Sequence, residues 1–264
     1  MKKYLVIGSP IEHSLSPKLH NYWFKINKIQ AIYDKKKLHL TEIKSFIENI
    51  RAKKIEGVNV TVPFKKEVIP YLDQLSEESE KTQSVNTIYQ SGNKLVGYNT
   101  DVYGFKKSLQ QAKFDIKNKK IFILGAGGVV PSLIFALKKM NVAEIVISNR
   151  TQNKAENLKK LFDNLEVIEW GRIPNFDTII NATSIGLNEK DIINLDFSKI
   201  GQGKLFYDLI YNPNETNFLK TGKKLGNIIE NGKMMFIYQA SAAFKIWHGI
   251  EPNINKDVIK LLDK

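Results

Sequence analysis

The sequence predicts an α/β protein built in two units, and three observations carry that prediction. Strand-like and helix-like stretches alternate along the first hundred residues. A polar bridge, Asp115-Ile-Lys-Asn-Lys-Lys120, interrupts them. The alternation then restarts with KIFILGAGG, an apolar strand that runs into glycines. Strands alternating with helices argue for parallel sheets, because a crossover helix is what joins two parallel neighbours.

Each element has its own signal. KYLVIG (3–8) is a short apolar strand, and residues 16–28 follow as a helix opened by Ser16 and Pro17, with Ser16 expected as its N-cap. Residues 30–34 read as a strand and 41–51 as a helix. In GVNVTVPFKK the alternation over 55–62 puts Val58, Val60 and Val62 on one face and Asn59 and Thr61 on the other. That strand breaks at Pro63 and delivers Lys65 and Lys66. TIYQ and KLVGY (87–98), separated by Ser91-Gly92-Asn93, predict a hairpin, and a helix runs from after Asp101 to about Ala112. In the second unit helices are expected at 128–140 and 152–162. Strands are expected in KIFILGAGG up to its glycines and at 143–150, 165–169, 177–181, 204–209 and 226–229. A helix from about Lys233 to Trp247 and a short one near 255–263 close the chain.

Composition narrows the class. The chain has 264 residues, 42% hydrophobic and 25% charged, as in a globular protein with a sizeable core. No apolar run approaches the roughly 20 residues that span a bilayer, and the N-terminal apolar stretch is too short for a signal peptide. There is no cysteine, and the four histidines are scattered, so neither a disulfide framework nor a metal site is expected. The cytoplasm is the expected compartment. A net charge of +13 raises the question of nucleic acid, but the lysines are spread along the chain without interleaved aromatics. The densest run, Lys35-Lys36-Lys37, is expected just before a helix as a solvated face. Anionic small molecules also suit a positive field.

Gly125-Ala126-Gly127-Gly128 sits where a strand feeds a helix. Glycines there permit a tight turn and let the backbone approach a pyrophosphate at the helix N-terminus, although a ligand-free turn would look similar. A strand before, a helix after and a second strand ending about 25 residues on favour a Rossmann-type, doubly wound dinucleotide-binding domain. The second strand ends in Asn149-Arg150-Thr151, with Lys154 one turn later and no carboxylate. A free ribose 2′-hydroxyl calls for Asp or Glu at that point, and a 2′-phosphate for cations and hydroxyls, so NADP is favoured over NAD. Thr151 also suits an N-cap, but a cap does not call for one of only three arginines beside it.

The first unit collects short polar groups. Ser14 and Ser16 beside a helix N-terminus form a corner suited to a carboxylate. Asn59, Thr61, Asn86 and Asn99-Thr100-Asp101 each have ordinary turn chemistry as an alternative. Together with Lys65 they suit a polyhydroxylated ligand. Lys65 and Asp101 form the evident pair, a cation able to donate to a forming alkoxide and a carboxylate to hold it.

These residues resemble the shikimate dehydrogenase family nearly from end to end. The likeness rests on SPIEHSLSPKLHN, GVNVTVPFK, SVNTI, GYNTDVYG, ILGAGG, SNRT, INATSIG, YDLIY and YQASAAFKIWHG, in that order and spacing. It implies an oxidoreductase of aromatic amino-acid biosynthesis that reduces 3-dehydroshikimate reversibly to shikimate with NADPH. It further implies that Ser14 and Ser16 hold the substrate carboxylate, with Tyr211 nearby. Asn59, Thr61, Lys65, Asn86, Asp101 and Gln239 would hold the ring hydroxyls and the reacting oxygen. Lys65 would be the general acid/base, oriented by Asp101. Gly125, Ala126, Gly127 and Gly128 would face the pyrophosphate, and Asn149, Arg150, Thr151 and Lys154 the 2′-phosphate. Thr183, Ser184 and Gly232 would line the cofactor channel. Gln239, in an apolar helical pattern, faces solvent on its pattern alone, but the resemblance returns its helix to the first domain. The implied domains are 1–101 plus 237–264, binding substrate, and 102–236, binding NADP. The expected partner is the small-molecule substrate, with no nucleic acid and no membrane, and with room for a homodimer. Two departures stand out. Val129-Val130-Pro131 follows the glycine turn where relatives carry a small and then a basic residue, and Met234 replaces a glycine near the nicotinamide. Rival readings are a quinate/shikimate dehydrogenase, a non-catalytic NADP-binding regulator, or a basic nucleic-acid-binding protein.

Overall fold

The structure is a computed structural model and describes residues 1–263. It forms two compact units: Met1–Gly104 together with the chain from Phe236 onward, and Phe105–Met235.

The first unit runs β1 (Lys2–Gly8), α1 (Ser16–Ile26), β2 (Ala31–Lys37), α2 (Ile43–Arg51), β3 (Gly57–Val60), β4 (Gln74–Leu75), α3 (Glu77–Thr82), β5 (Thr87–Ser91), β6 (Lys94–Tyr98) and the start of α4 (Thr100–Gln111). Its six strands lie in the order β2-β1-β3-β5-β6-β4. β1 pairs parallel with β2 and β3, but β5 is antiparallel to both β3 and β6. The sheet is therefore mixed, not wholly parallel. The two-stranded hairpin permits no other sense, and Gly92 at its tip takes φ +59°.

Three expectations change in detail. β3 stops at Val60. The Thr61 N–H still reaches the Ile7 carbonyl at 2.9 Å, but the Phe64 N–H then turns back onto Thr61, and Val62 ends 55% exposed, off the apolar face. The strand expected at 30–34 runs on to Lys37, so the lysine run before α2 lies on β2, an edge strand; all three lysines are exposed. The stretch before Asn86 holds α3, whose N-cap Ser76 accepts the Ser79 N–H. Ser76 followed by Glu77 and Glu78 is a helix-start signal that was open to reading in the sequence.

The second unit runs β7 (Lys120–Leu124), α5 (Val130–Lys139), β8 (Glu144–Ser148), α6 (Gln152–Glu156), β9 (Leu165–Ile168), β10 (Thr178–Asn181), β11 (Leu205–Asp208), α7 (Asn217–Lys224) and β12 (Ile228–Asn231). All its pairings are parallel, in the order β12-β11-β10-β7-β8-β9. The chain winds outward from β7 through β8 to β9, then returns to β10 and winds the other way. This is the doubly wound arrangement, with its switch point between β7 and β10. α8 (Lys233–His248) and α9 (Lys256–Leu261) complete the chain.

In the first unit the alternation along β1 supplies two apolar faces. Leu5 and Ile7 join Phe46, Ile47 and Ile50 of α2, while Tyr4 packs against Phe24 of α1 and Trp247 and His248 of α8. Gly57 is required where α8 crosses, because a Cβ there would stand 2.5 Å from Trp247 Nε1. No helix among the described residues is long and apolar enough to cross a membrane.

His20 of α1 lies wholly buried in this aromatic layer, and neither ring nitrogen has a hydrogen-bond partner among the described residues. Burial holds its pKa down to about 3, and that of His248 down to about 4. Both rings bind protons more readily unfolded than folded, so stability falls as pH drops below the ordinary imidazole value of 6.5. Denaturant unfolding of the wild type should therefore lose more stability between pH 6.5 and 4 than His20→Phe does, by about 3 kcal/mol. Parallel pH curves would show that His20 does not carry the effect.

Candidate active site

The hairpin explains why the polar residues of the first unit meet. β3 runs parallel to β1 and ends at Val60. β5 is antiparallel to β3, so it begins beside that end, with Thr87 opposite Asn59. β6 returns antiparallel to β5 and ends with Tyr98 opposite Thr87. The end of β3, the start of β5 and the start of α4 thus share one edge of the sheet.

Asn86 stands at the centre of that edge and is buried. Its backbone is pinned on both sides: its carbonyl accepts the Val60 N–H at 2.8 Å, and its N–H donates to Tyr98 at 3.0 Å. Its side-chain oxygen accepts the Thr100 N–H at 2.8 Å, and its Nδ2 donates to Asp101 Oδ1 at 2.9 Å. The amide orientation follows from the partners, because a backbone N–H can only donate and a carboxylate can only accept.

Asp101 lies in the first turn of α4, where the helix dipole favours an anion, and its own N–H donates to Asn99 Oδ1 at 3.1 Å. Its second oxygen, Oδ2, accepts from Lys65 Nζ at 2.5 Å, with the two side chains 12% and 9% exposed. Lys65 follows β3 in a run of turns, and its carbonyl takes the Val85 N–H at 2.8 Å, one residue before Asn86. The ammonium group has three donors, so proton donors remain beyond the one engaged by Asp101.

The other expected substrate residues divide. Gln239 does not face solvent freely: its Oε1 stands 3.4 Å from Asn86 Nδ2, and its Nε2 donates to the Phe236 carbonyl at 2.9 Å. Asn59 is largely committed to the protein. Its Nδ2 donates to the Asn86 carbonyl at 3.1 Å and to Thr87 Oγ1 at 2.9 Å, and its Oδ1 accepts from Tyr33 at 2.7 Å. Thr61 is half-buried at the end of the strand pairing. Ser16 is not an N-cap: Leu15 occupies that position without a side-chain cap, and Ser16 and Pro17 are the first two helical residues. Ser14 takes over part of the capping role, its Oγ accepting the Ser16 N–H at 3.4 Å. Tyr211 belongs to the second unit, in the segment after β11, where burial pushes its phenol up to about 12. Thr87, Thr100 and Tyr33 complete the buried network. The first two stand in the polar clusters the sequence displays, but nothing in the strand AIYDKKK marks Tyr33.

In the second unit the glycine turn follows β7 and the segment 182–184 follows β10, both at the switch point where doubly wound sheets hold their ligands. Gly125 takes φ +108°, and a Cβ on it would meet the Ala182 carbonyl oxygen at 2.8 Å. Its N–H is committed to the Ser148 carbonyl at 2.8 Å, so Gly125 shapes the turn and has no N–H to offer a phosphate. Gly127 and Gly128 are exposed, and a Cβ on Gly128 would meet nothing within 4 Å. With half-buried Ala126 beside them and α5 behind, they leave the room a pyrophosphate needs. Val130 and Pro131 are buried in the unit's core.

Thr151 occupies the N-cap position of α6, yet its side chain makes no cap bond. Thr151, Arg150 and Lys154 are exposed, and Asn149 steadies the turn by donating to the Thr151 carbonyl at 2.7 Å. Two cations and an uncommitted hydroxyl fit a 2′-phosphate. Thr183 turns inward, its hydroxyl donating to Asn181 Oδ1 at 2.7 Å, while Ser184 is exposed. Gly232 has a steric reason of its own: a Cβ there would stand 2.0 Å from the Leu209 carbonyl oxygen. Among the described residues no group of three His, Asp or Glu could hold a metal ion.

Comparison with known proteins agrees in both units. Residues 6–88 match the shikimate dehydrogenase substrate binding domain, and residues 108–209 match the family described as shikimate / quinate 5-dehydrogenase. The chain is 60% identical over 262 residues to shikimate dehydrogenase (NADP(+)) of Pelagibacter ubique, covering 99% of each. The crystal structure of shikimate dehydrogenase from Aquifex aeolicus superposes with a TM-score of 0.92 at 36% identity, over 100% of this chain and 98% of that one. The Thermus thermophilus enzyme, solved in complex with NADP(H) and shikimate, gives 0.89 at 29% identity, over 98% and 97%.

The two glycines of the turn should separate fold from ligand. Gly125→Ala should lower stability by at least about 2 kcal/mol, since it combines a left-handed φ with a backbone collision. Gly128→Ala should unfold like the wild type but bind the dinucleotide roughly tenfold more weakly, its methyl occupying space beside the phosphates. Denaturant unfolding without ligand and titration with NADP check both. Equal NADP affinity in Gly128→Ala would remove that residue from the site.

Proposed function

The chain belongs to the shikimate dehydrogenase family, and on that footing we propose that Lys65 and Asp101 perform the proton transfer of its reaction. The protein is an NADP-dependent oxidoreductase that interconverts 3-dehydroshikimate and shikimate. The observation that carries the residue assignment is the Lys65–Asp101 contact at 2.5 Å, almost closed to water and fixed from behind by Asn86.

NADPH, when bound, supplies the hydride that reduces the ketone carbon. As that carbon accepts the hydride, its oxygen gathers negative charge and needs a proton. Lys65 Nζ donates that proton and stabilises the charge as it forms; in the reverse direction the amine takes the proton back. Asp101 holds Nζ in place and balances its charge in a poorly hydrated setting, where an unpaired ammonium would be costly. The Gln239 amide lies within the same cluster and can meet ring hydroxyls. Ser14 and Ser16 take the ring carboxylate, where α1 begins with N–H groups that have no helical acceptor. Thr61 and Tyr211 are assigned to the same ligand. Asn59 and Asn86 act largely by keeping those groups in register. Gly127 and Gly128 receive the pyrophosphate, and Asn149, Arg150, Thr151 and Lys154 the 2′-phosphate.

Lys65→Ala should lower kcat by about 10²- to 10⁴-fold while leaving NADP affinity unchanged by titration. Near-wild-type turnover would remove Lys65 from this role. Following NADPH absorbance with shikimate or quinate, each paired with NADP or NAD, tests specificity. Reduction mainly with shikimate and NADP is expected. Dominant activity with quinate, or with NAD, would overturn the assignment of substrate or of Arg150 respectively.

A further inference from the structure

Tyr33, on β2, is fully buried and enters no step assigned above. The face of its ring is stacked on His20, with centroids 4.3 Å apart and planes within 3°, so the phenol is held by packing as well as by its hydroxyl. Burial raises its pKa well above the ordinary phenol value, which keeps the hydroxyl protonated.

We propose that Tyr33 is a positioning residue whose hydroxyl anchors a one-way chain of hydrogen bonds ending on the Asp101–Lys65 pair. The direction of each bond follows from chemistry. Asn59 Nδ2 faces the Asn86 carbonyl, which only accepts, so Asn59 Oδ1 is the end that meets Tyr33, and the phenol must donate, at 2.7 Å. The remaining Nδ2 proton of Asn59 goes to Thr87 Oγ1 at 2.9 Å. Thr87, having accepted there, donates its own proton to Asn86 Oδ1 at 3.1 Å. Asn86 Nδ2 donates to Asp101 Oδ1 at 2.9 Å, and Asp101 Oδ2 receives Lys65.

Every member of the chain from Tyr33 to Asp101 is buried, so water does not readily replace a missing link. Such networks act as a unit, and an orphaned end is costly. Removing the phenol hydroxyl leaves Asn59 Oδ1 without its donor, loosens that amide, and passes the loss through Thr87 to Asn86 and Asp101.

This inference rests on the assignment of Lys65 and Asp101 to proton transfer, and its test keeps the two apart. Tyr33→Phe retains the ring stacked on His20 and deletes the hydroxyl alone. With saturating shikimate and NADP, well below the unfolding temperature, it should lower kcat roughly tenfold and leave the KM for NADP unchanged. In an Asp101→Asn background the same change should cost less than about twofold, because the chain no longer has a carboxylate to set. Thr87→Val breaks the chain at a second point and should show the same non-additivity, which keeps the proposal open to refutation should Tyr33→Phe fold poorly. Loss of thermal stability with kcat intact in Tyr33→Phe, or full additivity with Asp101→Asn, would overturn it. Wild-type turnover in Asp101→Asn alone would instead overturn the assignment on which it rests.

Discussion

The Asn86 amide is fixed by partners that cannot exchange roles. Turned over, it would set its NH₂ group against the Thr100 N–H and its oxygen against the Asp101 carboxylate, replacing two good contacts by two repulsive ones. Its backbone is equally constrained, held by Val60 on one side and Tyr98 on the other. A short side chain rooted at the edge of a sheet, just before β5, therefore sets where α4 begins and which way its first carboxylate points. The antiparallel pairing of β5 with β3 is the topological cause: had β5 run parallel to β3, residue 86 would have entered the sheet at the opposite edge, far from Lys65. That reversal, and a second at the glycine turn that brings β6 back beside it, assemble the polar cluster.

The second unit solves a different problem, that of presenting bare backbone. Gly125 is needed because the chain after β7 passes against the chain after β10, and Gly127 and Gly128 beyond it are exposed. The loops facing that turn are tied from beneath by a buried carboxyl. Asp208, at the end of β11, accepts from Thr216 Oγ1 at 2.5 Å, from the Ile210 N–H at 3.0 Å and from Asn181 Nδ2 at 3.0 Å. Burial raises its pKa in spite of these donors. Asn181 also receives the Thr183 hydroxyl, so the segments after β10 and β11 are held through two side chains.

Much of this was legible in the sequence, because strand periodicity, the hairpin signal and the glycine turn are local properties. What escaped depended on distant partners. β3 was expected to reach residue 62, since valines alternate that far, but alternation cannot report where the pairing ends, and Val62 emerged into solvent. Ser16 carried the right chemistry for a cap and lies one residue too late. The lysine run was rightly taken as solvated, but its place on an edge strand depended on pairings made elsewhere. Asn59 was legible as a polar site residue, whereas its saturation by Asn86, Thr87 and Tyr33 was not, because those contacts span about 26 to 28 positions. Tyr33 itself sits in an ordinary strand pattern, and only the fold turns its hydroxyl toward Asn59.

The first sheet ends on one side in a two-residue strand, β4, and on the other in β2 with its three exposed lysines. Free strand edges are templates on which another chain can add itself. Here one template is too short to hold a newcomer, and the other sets ammonium groups along the line where it would dock. The short edge resists by geometry, whatever the solvent. The lysine edge resists by charge, offset only in part by the Lys37–Glu12 contact at 3.4 Å. That second protection is a property of solution as much as of structure: it weakens as salt shortens the reach of charge, to about 3 Å at 1 M ionic strength. Saline conditions would thus expose β2 as the side from which unwanted assembly begins.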